Sequence, residues 1–331
     1  MIKVENLEKT FKKPIRGEGV SGMLKTLFSR KYELVKAVKG ITYTINDGEI
    51  VGLIGSNGAG KSTTIKMMCG ILNPTGGICE IDGLNPHKDR MKVAKHIGVV
   101  FGQKTQLWWD IPLIESYKIL KEIYQINDED YQERMKFLND LLDLNTFISQ
   151  PVRTLSLGQR MRADLGASFL HNPSTLFLDE PTIGLDVLVK EKIRFAIKEM
   201  NKKYNTTVIL TTHDMDDIED LCERLIIIDK GNILYDGPQD QIKNKFGDIK
   251  TIAITSKELK DENSLDTFDS LVKYKIEGNV LKASFDATKV EFDKVLSYLV
   301  KEVKVEDMSI KSINIEDVVK ELFKIRSKNY D

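Results

Sequence analysis

The 331-residue sequence contains only three cysteines, Cys69, Cys79 and Cys222. Their odd number and the lack of any CxxC spacing argue against a disulfide framework and a zinc site, and fit a reducing compartment. No run of about 18 apolar residues occurs, so no segment reads as a bilayer-spanning helix. Residues 1–7 alternate apolar and polar positions as a strand does, without the basic start and apolar centre of a signal peptide. Net charge is also lacking. The 49 Lys and Arg are balanced by 50 Asp and Glu, giving −1, so no global field drives the chain onto nucleic acid or an anionic membrane. Internal repeats and low-complexity tracts are missing too.

What is present is an ordinary globular composition, 41% hydrophobic and 30% charged, in a chain long enough for two domains. Over residues 1–240, short β-branched runs at 49–54, 97–101, 176–178, 208–211 and 225–228 alternate with helical patterns. Runs this apolar, separated by helices, predict an α/β domain whose parallel sheet is covered on both faces. A basic insertion over about 12–34 interrupts the pattern, with Lys12, Lys13 and Arg16 followed by three glycines. In it Leu24, Leu27 and Phe28 fall on one helical face opposite Lys25, Arg30 and Lys31. Two readings are open for that stretch: a helix docked on its own domain, or a contact with a membrane partner or lipid headgroups. Residues 241–331 predict a small α+β domain, with strands at 251–255, 280–285 and 303–310 and helices at 290–300 and 315–323. This second domain carries no Gly-rich loop, no Cys or His cluster and no catalytic set.

The chemistry is concentrated in the first domain. Gly55-Ser56-Asn57-Gly58-Ala59-Gly60-Lys61-Ser62 matches G-x-x-x-x-G-K-[ST], after an apolar strand and before the helical run that starts at Thr63. Glycines let the backbone curl so that successive N–H groups, with the N-terminus of the next helix, face phosphates. Lys61 is the expected ligand of the β and γ phosphates and Ser62 of Mg²⁺. The run Thr175-Leu176-Phe177-Leu178-Asp179-Glu180 is an apolar strand ending in two carboxylates. Alone, such a pair is more often a solvated turn. Beside the loop at 55–62, Asp179 reads as the holder of Mg²⁺ and Glu180 as the group that polarises the attacking water. Thr211-Thr212-His213-Asp214 closes another apolar strand. Parallel sheets present their carboxyl ends at the ligand crevice, which puts His213 within reach of the γ-phosphate.

Taken together with Leu155-Ser156-Leu157-Gly158-Gln159 upstream of the acidic strand, these residues resemble the nucleotide-binding subunit of ATP-binding cassette (ABC) transporters over residues 1–237. The fold implied is a P-loop ABC cassette with a mixed or parallel sheet and a helical subdomain at about 110–170. The resemblance implies a head-to-tail dimer with two ATP molecules, in which Ser156, Gly158 and Gln159 of one copy close over the phosphate bound by residues 56–63 of the other. Ser156 offers a hydroxyl and Gly158 a bare amide at an expected helix start, an anion-binding arrangement in its own right. By the same resemblance Gln103 contacts Mg²⁺ and links the site to the membrane partner, Asp186 crosses the dimer interface, His213 is the switch histidine, and Phe11 stacks on adenine. The signature reads LSLGQ where LSGGQ is commonest.

Within the family, the stretch from Val99 through Trp108, Trp109 and Asp110 and the basic insertion are most similar to bacterial exporter ATPases. The two tryptophans read either as a pocket for a permease helix or as packing under the glutamine loop. The expectation is an ATPase motor held at the cytoplasmic face of the plasma membrane by integral membrane permease subunits, with no direct nucleic-acid contact. The smaller domain is expected to be an accessory or dimerisation domain. The rival expectations are a soluble ATPase of the same family acting on ribosomes or DNA, and a C-terminal domain that binds a regulator or cargo.

Overall fold

The computed structural model describes residues 1–14, 32–102, 104–245, 249–257, 269–312 and 315–328. The chain divides into two compact units, Met1–Gly237 and Pro238–Asp331. The basic insertion, including the helical face of Leu24, Leu27 and Phe28, falls mostly outside the described residues, as does Gln103.

The first unit holds β1 (Ile2–Pro14), β2 (Tyr32–Ile45), β3 (Ile50–Gly55), α1 (Lys61–Met68), β4 (Gly76–Ile81), α2 (Arg90–His96) and β5 (Ile97–Phe101). These are followed by α3 (Leu113–Tyr124), α4 (Asp128–Leu142), α5 (Leu157–Phe169), β6 (Thr175–Asp179), α6 (Val187–Tyr204), β7 (Thr207–Thr211), α7 (Met215–Leu221) and β8 (Arg224–Asp229). Strand β9 (Asn232–Pro238) closes it. The main sheet has the order β5-β6-β7-β3-β8-β9, and β5 to β8 pair in parallel. All five apolar runs expected to be strands lie in it. Each is buried on both faces, which is why those runs are continuous in sequence rather than alternating.

A second sheet, antiparallel in the order β2-β1-β4, was not anticipated beyond the strand character of residues 1–7. Its two long strands contain register shifts between Val4 and Leu7, Leu7 and Glu8, and Lys9 and Thr10. Each irregularity breaks the period-two pattern by which a strand is read. Ile2, Val4 and Ile45 from this sheet pack with Leu53, Ile65, Phe177 and Ile228 in one buried cluster. Each such side chain contributes about 1.5–3 kcal/mol through burial. That cluster fixes β3 and α1, and therefore the loop between them.

Between β5 and β6 the chain is helical. Asn127 caps α4 by accepting from the Asp130 amide, and Asp128, Glu129 and Asp130 fill its first turn, where carboxylates suit the helix dipole. Helix α5 buries eight residues, seven of them consecutive, so its C-terminal half is enclosed on all sides, and it packs on α3, where the Tyr117 hydroxyl donates to the Ala163 carbonyl at 2.8 Å.

The second unit consists of α8 (Gln239–Lys245), β10 (Ile249–Thr255), β11 (Lys273–Glu277), β12 (Val280–Asp286), α9 (Phe292–Glu302), β13 (Asp307–Ser312) and α10 (Ile315–Lys328). Its antiparallel sheet has the order β11-β12-β10-β13. Ile252, Ile254, Leu281 and Phe285 pack against Val295 and Leu299 of α9. The last strand starts four residues later than expected, because Val303 instead caps α9, its amide bonding to the Leu299 carbonyl. Strand β11 was not expected, since its Lys273, Lys275 and Glu277 leave only Tyr274 and Ile276 as apolar signal. Among the described residues no helix is long and apolar enough to cross a membrane.

Candidate active site

The loop after β3 is shaped by its glycines. Gly60 has φ +114°, and a Cβ there would stand 2.8 Å from the Ala37 carbonyl oxygen of β2. No other residue combines that dihedral with that approach. Asn57 and Gly58 form the exposed crest, Ala59 turns inward with its amide donating to the Ser56 carbonyl at 3.0 Å, and Thr63 is half-buried in the first turn of α1. Ser56 Oγ reaches Asp229 at the end of β8.

Lys61 opens α1 and is only 7% exposed. Its ammonium donates to the Gly55 carbonyl at 2.6 Å and the Ser56 carbonyl at 3.2 Å. Burial lowers its pKa, while the carboxylates of Glu180 and Asp179 act in the opposite direction. The cation is thus stored over its own loop, bonded to neutral carbonyls that a phosphate oxygen can replace at a gain.

The strand register brings the other groups to the same edge. Asp179 pairs with Phe101 on one side and Thr211 on the other. Ser62 Oγ donates to Asp179 Oδ1 at 3.3 Å, and Thr211 Oγ1 donates to the same oxygen at 2.5 Å. The next residue, Glu180, adopts φ +58°, held by its amide's bond to the Thr211 carbonyl at 2.9 Å. Its carboxylate meets His213 twice: Nε2 stands 3.2 Å from Oε1, and the His213 amide donates to Oε2 at 3.3 Å. Burial raises the Glu180 pKa above its ordinary value, with His213 and Lys61 restraining the rise. Ser62, Lys66, Ile71, Phe101, Gly102, Lys104, Asp179 and Glu180 line a cleft of about 450 Å³.

The second set of predicted residues lies on two helix starts. Ser156 caps α5 in a reciprocal box: Ser156 Oγ accepts from the Gln159 amide at 3.2 Å, and Gln159 Oε1 accepts from the Ser156 amide at 2.9 Å. Gly158 lies against Val189, and Gly184 against Leu157, so the α5 start and the loop before α6 touch. Asp186 caps α6, accepting from the Val189 amide at 3.0 Å. Leu157, Ile183, Val187 and Leu188 are exposed around these caps, Leu188 at 77%, an apolar surface of the kind that marks an interaction site.

Phe11 lies on β1 opposite Val35, half-exposed, with the Lys9 ammonium 5.3 Å from its ring centroid. Trp108 and Trp109 are 40% and 46% exposed, and the Arg160 guanidinium stands 5.4 Å from a Trp109 ring centre. Just after Gln103, Thr105 Oγ1 and the Gln106 amide both donate to Asp164 Oδ1, at 2.9 and 3.1 Å. Burial raises the Asp164 pKa to about 6, against the pull of those two donors and Arg160.

Four site residues escape a reading of the sequence. Thr211 holds Asp179. Gly102 donates its amide to the Asp179 carbonyl at 2.7 Å, and a Cβ on it would fall 2.1 Å from the Glu180 carbonyl oxygen. Thr182 and Asp217 join the loops of Glu180 and His213. Only the T-T-H run hinted at any of them.

Chemically, the loop offers an anion cradle with one buried cation, and the strand edge offers a carboxylate beside an imidazole. The Ser62 and Asp179 oxygens form a hard two-ligand set that suits Mg²⁺, an ion that keeps most of its water and takes the rest of its shell from substrate phosphates. Among the described residues no group of three or more His, Cys, Asp or Glu could hold a metal by itself.

A strand, a glycine-rich loop carrying a buried lysine, and an acidic strand end two strands away in the same parallel sheet define a P-loop ATPase cassette. The model of the ABC transporter family matches residues 38–183. The chain is 30% identical over 308 residues to the methionine import ATP-binding protein MetN 2 of Enterococcus faecalis, covering 88% of this chain and 86% of that one. It is 33% identical over 215 residues to the probable multidrug ABC transporter ATP-binding protein YbhF of Escherichia coli, covering 65% of this chain and 37% of YbhF. A solved dimeric structure of the ATP-binding cassette MJ0796, in a post-hydrolysis state bound to ADP and Pi, superposes with a TM-score of 0.60 at 27% identity. It covers 72% of this chain and 98% of that one. The chain belongs to the ATP-binding subunits of ABC transporters, and it is an ATPase.

Proposed function

We propose that this chain is the ATP-hydrolysing motor of a bacterial ABC exporter, working as a head-to-tail homodimer at the cytoplasmic face of the plasma membrane through separate permease subunits. The observation that carries the reading is the convergence of Ser62, Asp179 and Glu180 on one cleft, with His213 against Glu180 and Lys61 within the field of both carboxylates, while the Ser156 cap faces outward beside the apolar surface of Leu157, Val187 and Leu188. One copy thus holds the triphosphate tail and lacks a seal over its end, and a second copy has a seal to offer.

In this reading Lys61 and the loop amides bind the phosphates, Phe11 stacks on adenine, and Ser62 and Asp179, with Gln103, hold Mg²⁺. Held by these residues, Mg²⁺ would supply neutralisation of the phosphate charge. Glu180 takes the proton of the attacking water, and His213 orients Glu180 and contacts the γ-phosphate. Ser156, Gly158 and Gln159 of the second copy close over that phosphate, and Asp186 crosses between the copies. Hydrolysis removes the shared contact and the dimer opens. Trp108 and Trp109, half-exposed and a few residues after Gln103 in the sequence, receive the permease helix that this motion drives. The smaller domain supports the dimer, which suits the full exposure of its edge strand β13.

Export rather than import rests on the stretch 99–110 and the basic insertion. Purifying the native chain from membranes and identifying what accompanies it tests the proposal. An integral membrane subunit whose substrate leaves the cell in an ATP-dependent way is the expected result. Recovery on ribosomes, or uptake of substrate, overturns it.

A further inference from the structure

Asp217 is completely buried in α7, three side chains converge on it, and the phosphate chemistry proposed above uses it nowhere. Oδ1 accepts from Arg194 Nη1 of α6 at 2.9 Å. Oδ2 accepts from two hydroxyls at once, Thr212 Oγ1 at 3.1 Å and Thr182 Oγ1. Both threonines are 1% exposed. Thr182 follows Glu180 by two residues, and Thr212 immediately precedes His213. Thr212 Oγ1 also accepts from the Asp214 amide at 2.9 Å, so the chain on the far side of His213 is tied to the same point.

Burying a carboxylate is costly, and pure packing would be served as well by an apolar side chain of similar volume. What the carboxylate adds is direction. Two hydroxyls sharing one oxygen can keep their bonds only while the loops that carry them hold one separation, because a hydrogen bond weakens steeply with distance and angle. Glu180 and His213 already touch at 3.2 Å on the open side of those loops. The Glu180 amide joins the same loops at the strand ends through the Thr211 carbonyl, and Asp217 adds an internal tie away from both contacts, so the loops are held at separated points.

We infer that Asp217 is a positioning residue: through Thr182 and Thr212 it locks the Glu180 loop to the His213 loop, so that carboxylate and imidazole meet the γ-phosphate as one rigid unit. The inference rests on the roles proposed above for Glu180 and His213. Its test uses the threonines, because valine keeps their shape and leaves the ion pair of Asp217 with Arg194 in place.

Steady-state hydrolysis by the full-length Thr182→Val, Thr212→Val and double variants is measured beside Thr182→Ser and Thr212→Ser, with unfolding monitored for each. Each valine variant should lose about tenfold in kcat with the KM for ATP within twofold, since misplacement of a reacting group costs rate rather than binding. The double variant should fall no further than the worse single one, because either change cuts the same link. The serine variants, which keep the hydroxyl, should recover most of the rate. Valine variants that turn over normally, losses that multiply in the double variant, or serine variants as slow as valine overturn the inference. Glu180→Gln separates the two levels. If that variant hydrolyses normally the role of Glu180 is wrong, and if it is inactive while the valine variants are unaffected only the lock is wrong.

Discussion

His213 clasps Glu180 from two directions, its imidazole Nε2 3.2 Å from Oε1 and its backbone amide donating to Oε2 at 3.3 Å. The pair spans adjacent strand ends, and the backbone contact survives any rotation of the ring. Glu180→Gln keeps an oxygen for that amide and removes only the proton acceptor. It should therefore retain ATP affinity, slow hydrolysis by about 10²–10⁴-fold, and accumulate an ATP-bound dimer. Size-exclusion chromatography with ATP reads this directly. A variant that stays monomeric with ATP argues against the shared site.

Lys61 donates to the Gly55 and Ser56 carbonyls at 2.6 and 3.2 Å, so Lys61→Ala removes a loop brace as well as a phosphate ligand. Nucleotide affinity should drop by at least about tenfold, since a charge-assisted hydrogen bond to phosphate is worth well over 1 kcal/mol. Lys61→Arg should fail too, because the larger planar guanidinium does not fit the space of a side chain that is 7% exposed. Equilibrium binding of a fluorescent ATP analogue checks both, and full turnover by either variant shows that the phosphates lie elsewhere.

The loop at 55–62, the acidic pair 179–180 and His213 were legible in the sequence because each is a run of neighbouring residues whose chemistry is local to one strand end. The ties between those runs were not. Gly102, Thr182, Thr211 and Asp217 act only because β5, β6 and β7 lie side by side, and strand order is a property of the whole sheet. For the same reason the main sheet's apolar strands could be read, whereas the bulged pairing of β1 with β2 and the charge-rich strand β11 could not. The sequence also does not reveal that Gln159 and Asp186 spend their side chains on backbone amides of their own helices.

Asp164 gives a stability prediction with a defined sign. Burial raises its pKa from an ordinary 3.8 to about 6, so the folded state favours the protonated form. Its contribution is fully present below pH 4 and is lost as pH rises through about 6. Asp164→Asn keeps an oxygen for Thr105 and Gln106 and cannot ionise. Relative to the natural protein, the variant should gain stability between pH 4 and pH 7, by about 2–3 kcal/mol at most for a shift of this size. Urea unfolding at the two pH values gives the difference, and a constant gap between the proteins across that range contradicts it.

Ser156 has two jobs that one substitution confounds and a second separates. Its hydroxyl caps α5, accepting from the Gln159 amide at 3.2 Å, and losing that cap costs about 1 kcal/mol. Ser156→Ala should therefore lower thermal stability modestly, and a fall in ATPase rate by that variant alone would be ambiguous. Aspartate is as good a cap as serine, so Ser156→Asp should restore the melting temperature. It also places a negative charge where a second copy's γ-phosphate is expected to sit, and like charges in a closed interface repel strongly. Hydrolysis by Ser156→Asp should then stay at or below the level of the alanine variant, while ATP binding to the isolated chain is unchanged. For the natural protein, the rate per molecule should fall on dilution as dimers separate. An aspartate variant that hydrolyses ATP normally, at a rate indifferent to dilution, would mean that the phosphate is sealed within a single copy.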